Sequence, residues 1–175
     1  MKREAKQIVI VRRDILESSQ DEIDNMSQDK RSQYFEQLGK VGKMPRGKLA
    51  AQVSHASMAP ILRIMRGNVP YAEYDAPEGN YELSLSIEED TPLKAWIEGS
   101  FAKIILAVKS EEKLLSLYKQ ISEAGFVCDL IQDEGRTAFK EPTYTCLGIE
   151  PVWAKPNFED QDSIERFTKR LNLLK

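Results

Sequence analysis

The chain has 175 residues, 41% of them hydrophobic and 30% charged, with a net charge of −3. That length fits one domain with its own core, no apolar run approaches the roughly 20 residues that span a bilayer, and the charge balance argues mildly against a nucleic-acid ligand unless the 25 Lys and Arg residues gather on one face. Cys128 and Cys146 lie in separate apolar segments without metal-ligand spacing, so buried free thiols in a cytoplasmic protein are expected, with no metal and no cofactor.

The charged start leads into a short β-branched run, residues 7–11 (QIVIV). It is too short for the apolar core of an export signal and predicts a strand buried on both faces. Residues 14–43 are long and polar, with Ile23, Met26, Phe35 and Leu38 spaced so that a helix could bury them. A helix is predicted over 47–65. Its small residues (Ala50, Ala51, Ser54, Ala56, Ser57, Ala59) would let it approach a sheet closely, and Pro60 should kink or end it. Residues 66–90 carry the breakers Gly67, Pro70, Pro77 and Gly79, and three tyrosines (Tyr71, Tyr74, Tyr81) expected to anchor this loop on the body. Within it Tyr81, Leu83, Leu85 and Ile87 alternate with a strand-like period of two. Thr91-Pro92 reads as an N-cap with Pro at the first helical position.

Residues 103–109 (KIILAVK) predict a second buried strand. Residues 110–124 are the clearest helix: Ser110 caps it, Glu111 and Glu112 suit the dipole, Leu114, Leu117, Tyr118 and Ile121 form one stripe, and Gly125 stops it. Residues 127–131 and 145–149 are two more strand candidates. The connection between them is short and lacks a helical pattern, so they should pair antiparallel in a mixed sheet. A last helix is predicted over about 160–169, and Leu171 to Leu174 should pack back on the body. Trp96 and Trp153 are expected as core or rim packing. Strands alternating with helices imply an α/β fold.

Two segments could carry chemistry. Lys48, Gln52 and His55 share one face of the predicted helix, near its start. Asp133, Gly135, Arg136 and Thr137 follow a strand into a loop. A carboxylate, a hydroxyl and a cation could converge there with Lys48, activating water and stabilising an oxyanion as ester hydrolysis demands. Gly42, Gly47 and Lys48 nearly meet a phosphate-loop pattern, but Leu49 stands where its Ser or Thr belongs, which argues against nucleotide hydrolysis. His55, the sole histidine, faces small residues and is expected to be buried and hydrogen-bonded. Lys40, Lys43, Arg46, Lys48, Arg63, Arg66, Lys103, Arg136 and Lys140 would form a basic face if they converge.

The stretch Gly47-Lys48-Leu49-Ala50-Ala51-Gln52-Val53-Ser54-His55-Ala56 resembles the G-K-[IVL]-A-A-Q-x-S-H-A pattern of the archaeal/eukaryotic-type peptidyl-tRNA hydrolases. Asp133-Glu134-Gly135-Arg136-Thr137 is similar to their D-x-G-R-T loop, and 143–151 to their T-x-T-x-L-[AG]-I-G-P strand, with Glu150 in place of Gly. Val11-Arg12-Arg13-Asp14 resembles the end of their first strand. The resemblance implies a single three-layer α/β/α domain around a four-stranded mixed sheet, spanning 1–175 with insertions at about 14–43 and 66–92. It implies hydrolysis of the ester between a peptide and the 3′ ribose of tRNA, with tRNA as partner, no membrane and a homodimer left open. It assigns catalysis to Lys48 (positive charge for the oxyanion or 3′ end), Asp133 (orienting or deprotonating water) and Thr137 (positioning water or Asp133), and substrate or tRNA binding to Arg46, Gln52, His55 and Arg136. A non-catalytic RNA- or protein-binding module on the same fold is the alternative.

Overall fold

The computed structural model describes residues 3–70, 73–154 and 163–174. The β-branched run near the start forms β1 (Ala5–Arg12), which lies inside a mixed sheet. Three more long strands follow: β2 (Ala102–Val108), β3 (Cys128–Asp133) and β4 (Thr143–Ile149). β2 runs parallel to β1, β4 runs antiparallel to it on the other side, and β3 pairs antiparallel with β4. Among the described residues the sheet has six strands rather than the four expected. β5 (Val152–Trp153) pairs with the start of β1 and β6 (Asn172–Leu173) with β2. Runs of two residues show no periodicity, so nothing in the sequence marks them. β6 does fulfil the expectation that the tail packs back, although Leu173 itself is exposed.

Neighbouring residues of a strand point to opposite faces, and β1 divides accordingly. Ile8 and Ile10 pack with Leu114, Leu117 and Ile121 of α5 (Glu111–Glu123), whereas Val9 and Val11 pack with Ala56 and Ala59 of α3 (Arg46–Met65). Both α5 and α4 (Pro92–Glu98) start as the sequence predicts: Ser110 accepts from the Lys113 N–H and Thr91 from the Lys94 N–H, with Pro92 in the first turn. At the end of β1, buried Arg12 ties three elements together. It pairs with Asp14 at 2.7 Å and with Glu111, and donates to the Tyr144 carbonyl at 3.0 Å.

Several expectations are corrected. Pro60 does not end α3, which continues to Met65. Proline removes the N–H that would bond the Ala56 carbonyl, and that carbonyl is where Gly148 of β4 packs: a β-carbon at Gly148 would lie 1.7 Å from it. Residues 14–43 do form helices, α1 (Gln20–Asp24) and α2 (Gln28–Lys40), but neither buries a residue, and Phe35 and Leu38 stay exposed. The alternation over 81–87 makes no strand; of its apolar residues Leu85 packs beside Trp96 while Tyr81 and Ile87 are exposed. Alternation supplies no partner strand. The last helix is shorter than expected, α6 (Glu165–Thr168), and positions 160–162 of that expectation lie outside the described residues. Of the tyrosines, Tyr74 meets the Arg66 guanidinium at 4.2 Å, Tyr81 does not anchor, and Tyr71 lies outside the described residues. No helix among the described residues is long and apolar enough to cross a membrane.

Candidate active site

β3 runs antiparallel to β4, which runs antiparallel to β1, so β1 and β3 end on the same side of the sheet. α3 starts beside those ends. The topology thereby brings Lys48, in the first turn of α3, onto Asp133, the last residue of β3. Lys48 Nζ lies 2.7 Å from Asp133 Oδ2 and donates to Thr137 Oγ1 at 2.6 Å. Gln52 Nε2 donates to the same carboxylate oxygen at 3.2 Å, and the other oxygen, Oδ1, accepts the Gly135 N–H at 3.0 Å. Asp133 therefore caps its own loop and faces the cation at once. Gly135 has φ +77°, and a β-carbon there would meet the Glu141 backbone at 2.6 Å, so the turn that supplies this N–H accepts only glycine.

Behind this set stands Thr145, which the sequence reading did not single out. It is fully buried, and its Oγ1 lies 2.6 Å from Gln52 Oε1. Donation from that hydroxyl fixes the Gln52 amide with its NH2 toward Asp133. Phe139 was also missed; its ring lies 5.4 Å from Lys48 Nζ. The signal for Thr145 was present in the T-x-T spacing of 143–145, but its partner depends on a strand register that no local pattern fixes.

A groove of about 470 Å³ runs from Lys48 past His55 and Met58 to Leu62 of α3, with residues 130–133 of β3 as its other wall. His55 is exposed in that groove rather than buried: Ala56, Ser57 and Ala59 take the buried face of α3, and His55 lies with exposed Ala51 and Ser54 on the open flank. Arg46 is exposed at the first position of α3, and exposed Arg136 pairs with Glu134 at 2.5 Å, not with Asp133.

The expected basic face is only partly assembled. Lys43 is buried, donating to Gln37 Oε1 at 2.7 Å and to the Asp14 carbonyl; desolvation lowers its pKa, opposed by Asp14. Lys103 sits at the start of β2, the opposite end of the sheet, 3.5 Å from the Phe101 ring centroid. Arg63 donates to the Cys128 carbonyl at 2.9 Å, and Lys40 pairs with Glu36 at 2.6 Å. Burial pushes the thiols of Cys128 and Cys146 up to about 12, which leaves them protonated and poor nucleophiles. A larger hollow of about 690 Å³ opens by the start of β1; in its lining Lys94 pairs with Glu89 at 2.7 Å and Arg3 lies over the Trp153 ring at 4.0 Å.

The family model described as Peptidyl-tRNA hydrolase PTH2 matches residues 5–174. The chain belongs to the peptidyl-tRNA hydrolase PTH2 family. This PTH2 member is 32% identical over 133 residues to a peptidyl-tRNA hydrolase of Methanopyrus kandleri, an alignment covering 76% of this chain and 90% of the relative. It is 34% identical over 132 residues to one of Methanothermobacter thermautotrophicus, covering 75% and 90%. A Sulfolobus acidocaldarius peptidyl-tRNA hydrolase is 31% identical over 133 residues, again covering 75% and 90%.

Proposed function

We propose that this chain hydrolyses peptidyl-tRNA, cutting the ester between a peptide (or N-blocked amino acid) and the 3′ ribose, with Lys48, Asp133 and Thr137 as its reacting set. The observation that supports this most is the position of Lys48 Nζ, within 2.7 Å of Asp133 and 2.6 Å of Thr137 at the head of an open groove. An ammonium has three N–H donors. Two are engaged here, which leaves one for substrate. Thr137 accepts from Lys48, so its own O–H proton is available to donate. Two donors thus serve the oxygen that becomes negative when water attacks the ester carbonyl. Asp133 takes the proton from that water. The tetrahedral intermediate then collapses, the carbonyl–O3′ bond breaks, and the ribose oxygen leaves with a proton from solvent. Gln52 holds Asp133 in place, and Arg46, His55 and Arg136 serve substrate or tRNA binding.

We further infer one three-layer domain over 1–175, interrupted at about 14–43 and 66–92. The split of β1 side chains between α3 and α5 supports the layering. Relatives aligned over 90% of themselves but about 75% of this chain support the extra segments. A tRNA substrate implies a cytoplasmic setting.

The test is release of free tRNA from purified N-acetyl-aminoacyl-tRNA or peptidyl-tRNA by wild type and Asp133→Ala. Removal of the base should lower kcat by about 10²-fold or more. Unchanged cleavage in the variant overturns the site while keeping the activity. No cleavage by folded wild type favours an RNA- or protein-binding module, and attention then moves to α1 and α2.

A further inference from the structure

The groove has a second property that its catalytic end does not use. β3 is an edge strand: β4 covers one flank and no strand among the described residues covers the other. The Glu150 N–H donates to the Val127 carbonyl at 2.9 Å, and the register pairs Asp129 with Gly148 and Ile131 with Cys146. In an antiparallel ladder alternate residues exchange main-chain bonds with the neighbour. Residues 127, 129 and 131 therefore turn their N–H and C=O groups toward β4, and 128, 130 and 132 turn theirs outward. The register irregularity leaves the extra residue, Thr145, on β4, so this parity holds through Gln132.

Arg63 takes the outward carbonyl of Cys128 at 2.9 Å and closes that end. The outward main-chain groups of Leu130 and Gln132 have no strand partner among the described residues, and both residues line the groove that ends at Lys48 and Asp133. Opposite them, half-exposed Met58 and partly buried Leu62 offer an apolar wall.

We propose that the peptide arm of the substrate lies extended along this free edge, as an added strand bonded to the main chain of Leu130 and Gln132. The inference rests on the hydrolase reading above and adds how the acyl group is recognised. The ester is at the carboxyl end of the peptide and must reach Lys48, beside the carboxyl end of β3, so the peptide runs parallel to β3. At roughly 3.3 Å per residue, the stretch from Leu130 to Asp133 accommodates about three peptide residues. Strand addition reads main-chain groups and leaves side chains free, which suits substrates that share nothing but a backbone. It also separates substrate from non-substrate: an aminoacyl ester with a free amine has no amide to place on the edge. Met58, flexible and unbranched, adapts to whatever side chain arrives.

The test uses the full chain and tRNAs carrying N-acetyl-aminoacyl, dipeptidyl, tripeptidyl and pentapeptidyl groups, and tripeptidyl esters N-methylated at one bond at a time. Expected is a kcat/KM that rises to about three residues and then levels. N-methylation should cut it about three- to tenfold at alternate bonds only, because alternate amides of an added strand face β3. Gln132→Pro, tolerated on an edge strand, should flatten the length dependence while Gln132→Ala retains it. Equal kcat/KM at every length, or N-methyl losses without alternation, overturns the added strand and leaves the hydrolase standing. No hydrolysis of any substrate overturns the hydrolase reading and this inference with it.

Discussion

A lysine in the first turn of a helix faces the positive end of the helix dipole, and Lys48 occupies that place with the Asp133 carboxylate 2.7 Å away. Asp133 in turn is held by Gln52, and Gln52 by the buried hydroxyl of Thr145. Thr145→Val removes the hydroxyl and keeps the shape, so the Gln52 amide loses what fixes its orientation. One neutral hydrogen bond nets about 1 kcal/mol, which predicts a kcat lower by about three- to tenfold with KM unchanged. Thr145→Ser should restore most of it, and steady-state kinetics on N-acetyl-aminoacyl-tRNA reads the difference. Glu150 allows a second prediction. Burial raises its pKa above the ordinary 4.5, opposed by the Val127 N–H that it accepts at 2.8 Å. A raised carboxyl pKa means that the folded chain holds the proton more tightly than the unfolded chain, so the stability it contributes is full below pH 4.5 and falls as pH rises through the raised value. Glu150→Gln keeps the acceptor and removes the charge. Thermal unfolding should show a higher Tm for the variant at pH 7, and that gain should fade as the pH is lowered to 4.5.

At the scale of elements, α3 positions the site because it lies unusually close to β4. Gly148 has no room for a β-carbon, which would sit 1.7 Å from the Ala56 carbonyl oxygen. Gly148→Ala must push helix and strand apart, at a cost of about 1–3 kcal/mol or more for overpacking, and should lower the midpoint of denaturant unfolding by a matching amount. The small residues of α3 announced this closeness in the sequence, and the caps at Ser110 and Thr91 were legible because capping is local. That Pro60 does not end α3 was hidden for the converse reason: its cost depends on what meets the freed carbonyl, and only the packing places Gly148 there. A similar approach fastens the insertion to the site. Gly42, with φ +94°, abuts the Ala138 carbonyl, where a β-carbon would lie 2.0 Å away, one residue from Thr137. The Lys140 N–H also bonds the Val41 carbonyl at 3.3 Å. The exposed α1 and α2 thus end in a brace on the loop that carries Thr137, a link that no spacing between 14–43 and 133–137 could disclose.

For the molecule as a whole, the question is how a chain of net charge −3 engages a polyanion. The cations are not gathered: Lys43 is buried and Lys103 sits at the other end of the sheet. Sequence could count basic residues but not place them, since placement follows from topology. What remains by the groove is Lys48, with Arg46 and Arg136 exposed near it. Arg136 pairs with Glu134, yet the two side chains are 82% and 70% exposed. An exposed ion pair contributes little, so a tRNA phosphate can replace Glu134 as the partner of Arg136. Few phosphate contacts mean a shallow salt dependence, because each neutralised phosphate releases its share of counterions. The logarithm of kcat/KM against the logarithm of salt concentration should therefore fall gently for wild type, with the change in KM. Arg136→Ala should raise KM at low salt and reduce the slope by about one. Glu134→Gln should lower KM at low salt while keeping the slope, because it removes the competitor and leaves the contact. If Arg136→Ala leaves the slope unchanged, the guanidinium touches no phosphate, and its place in the D-x-G-R-T turn serves the loop instead.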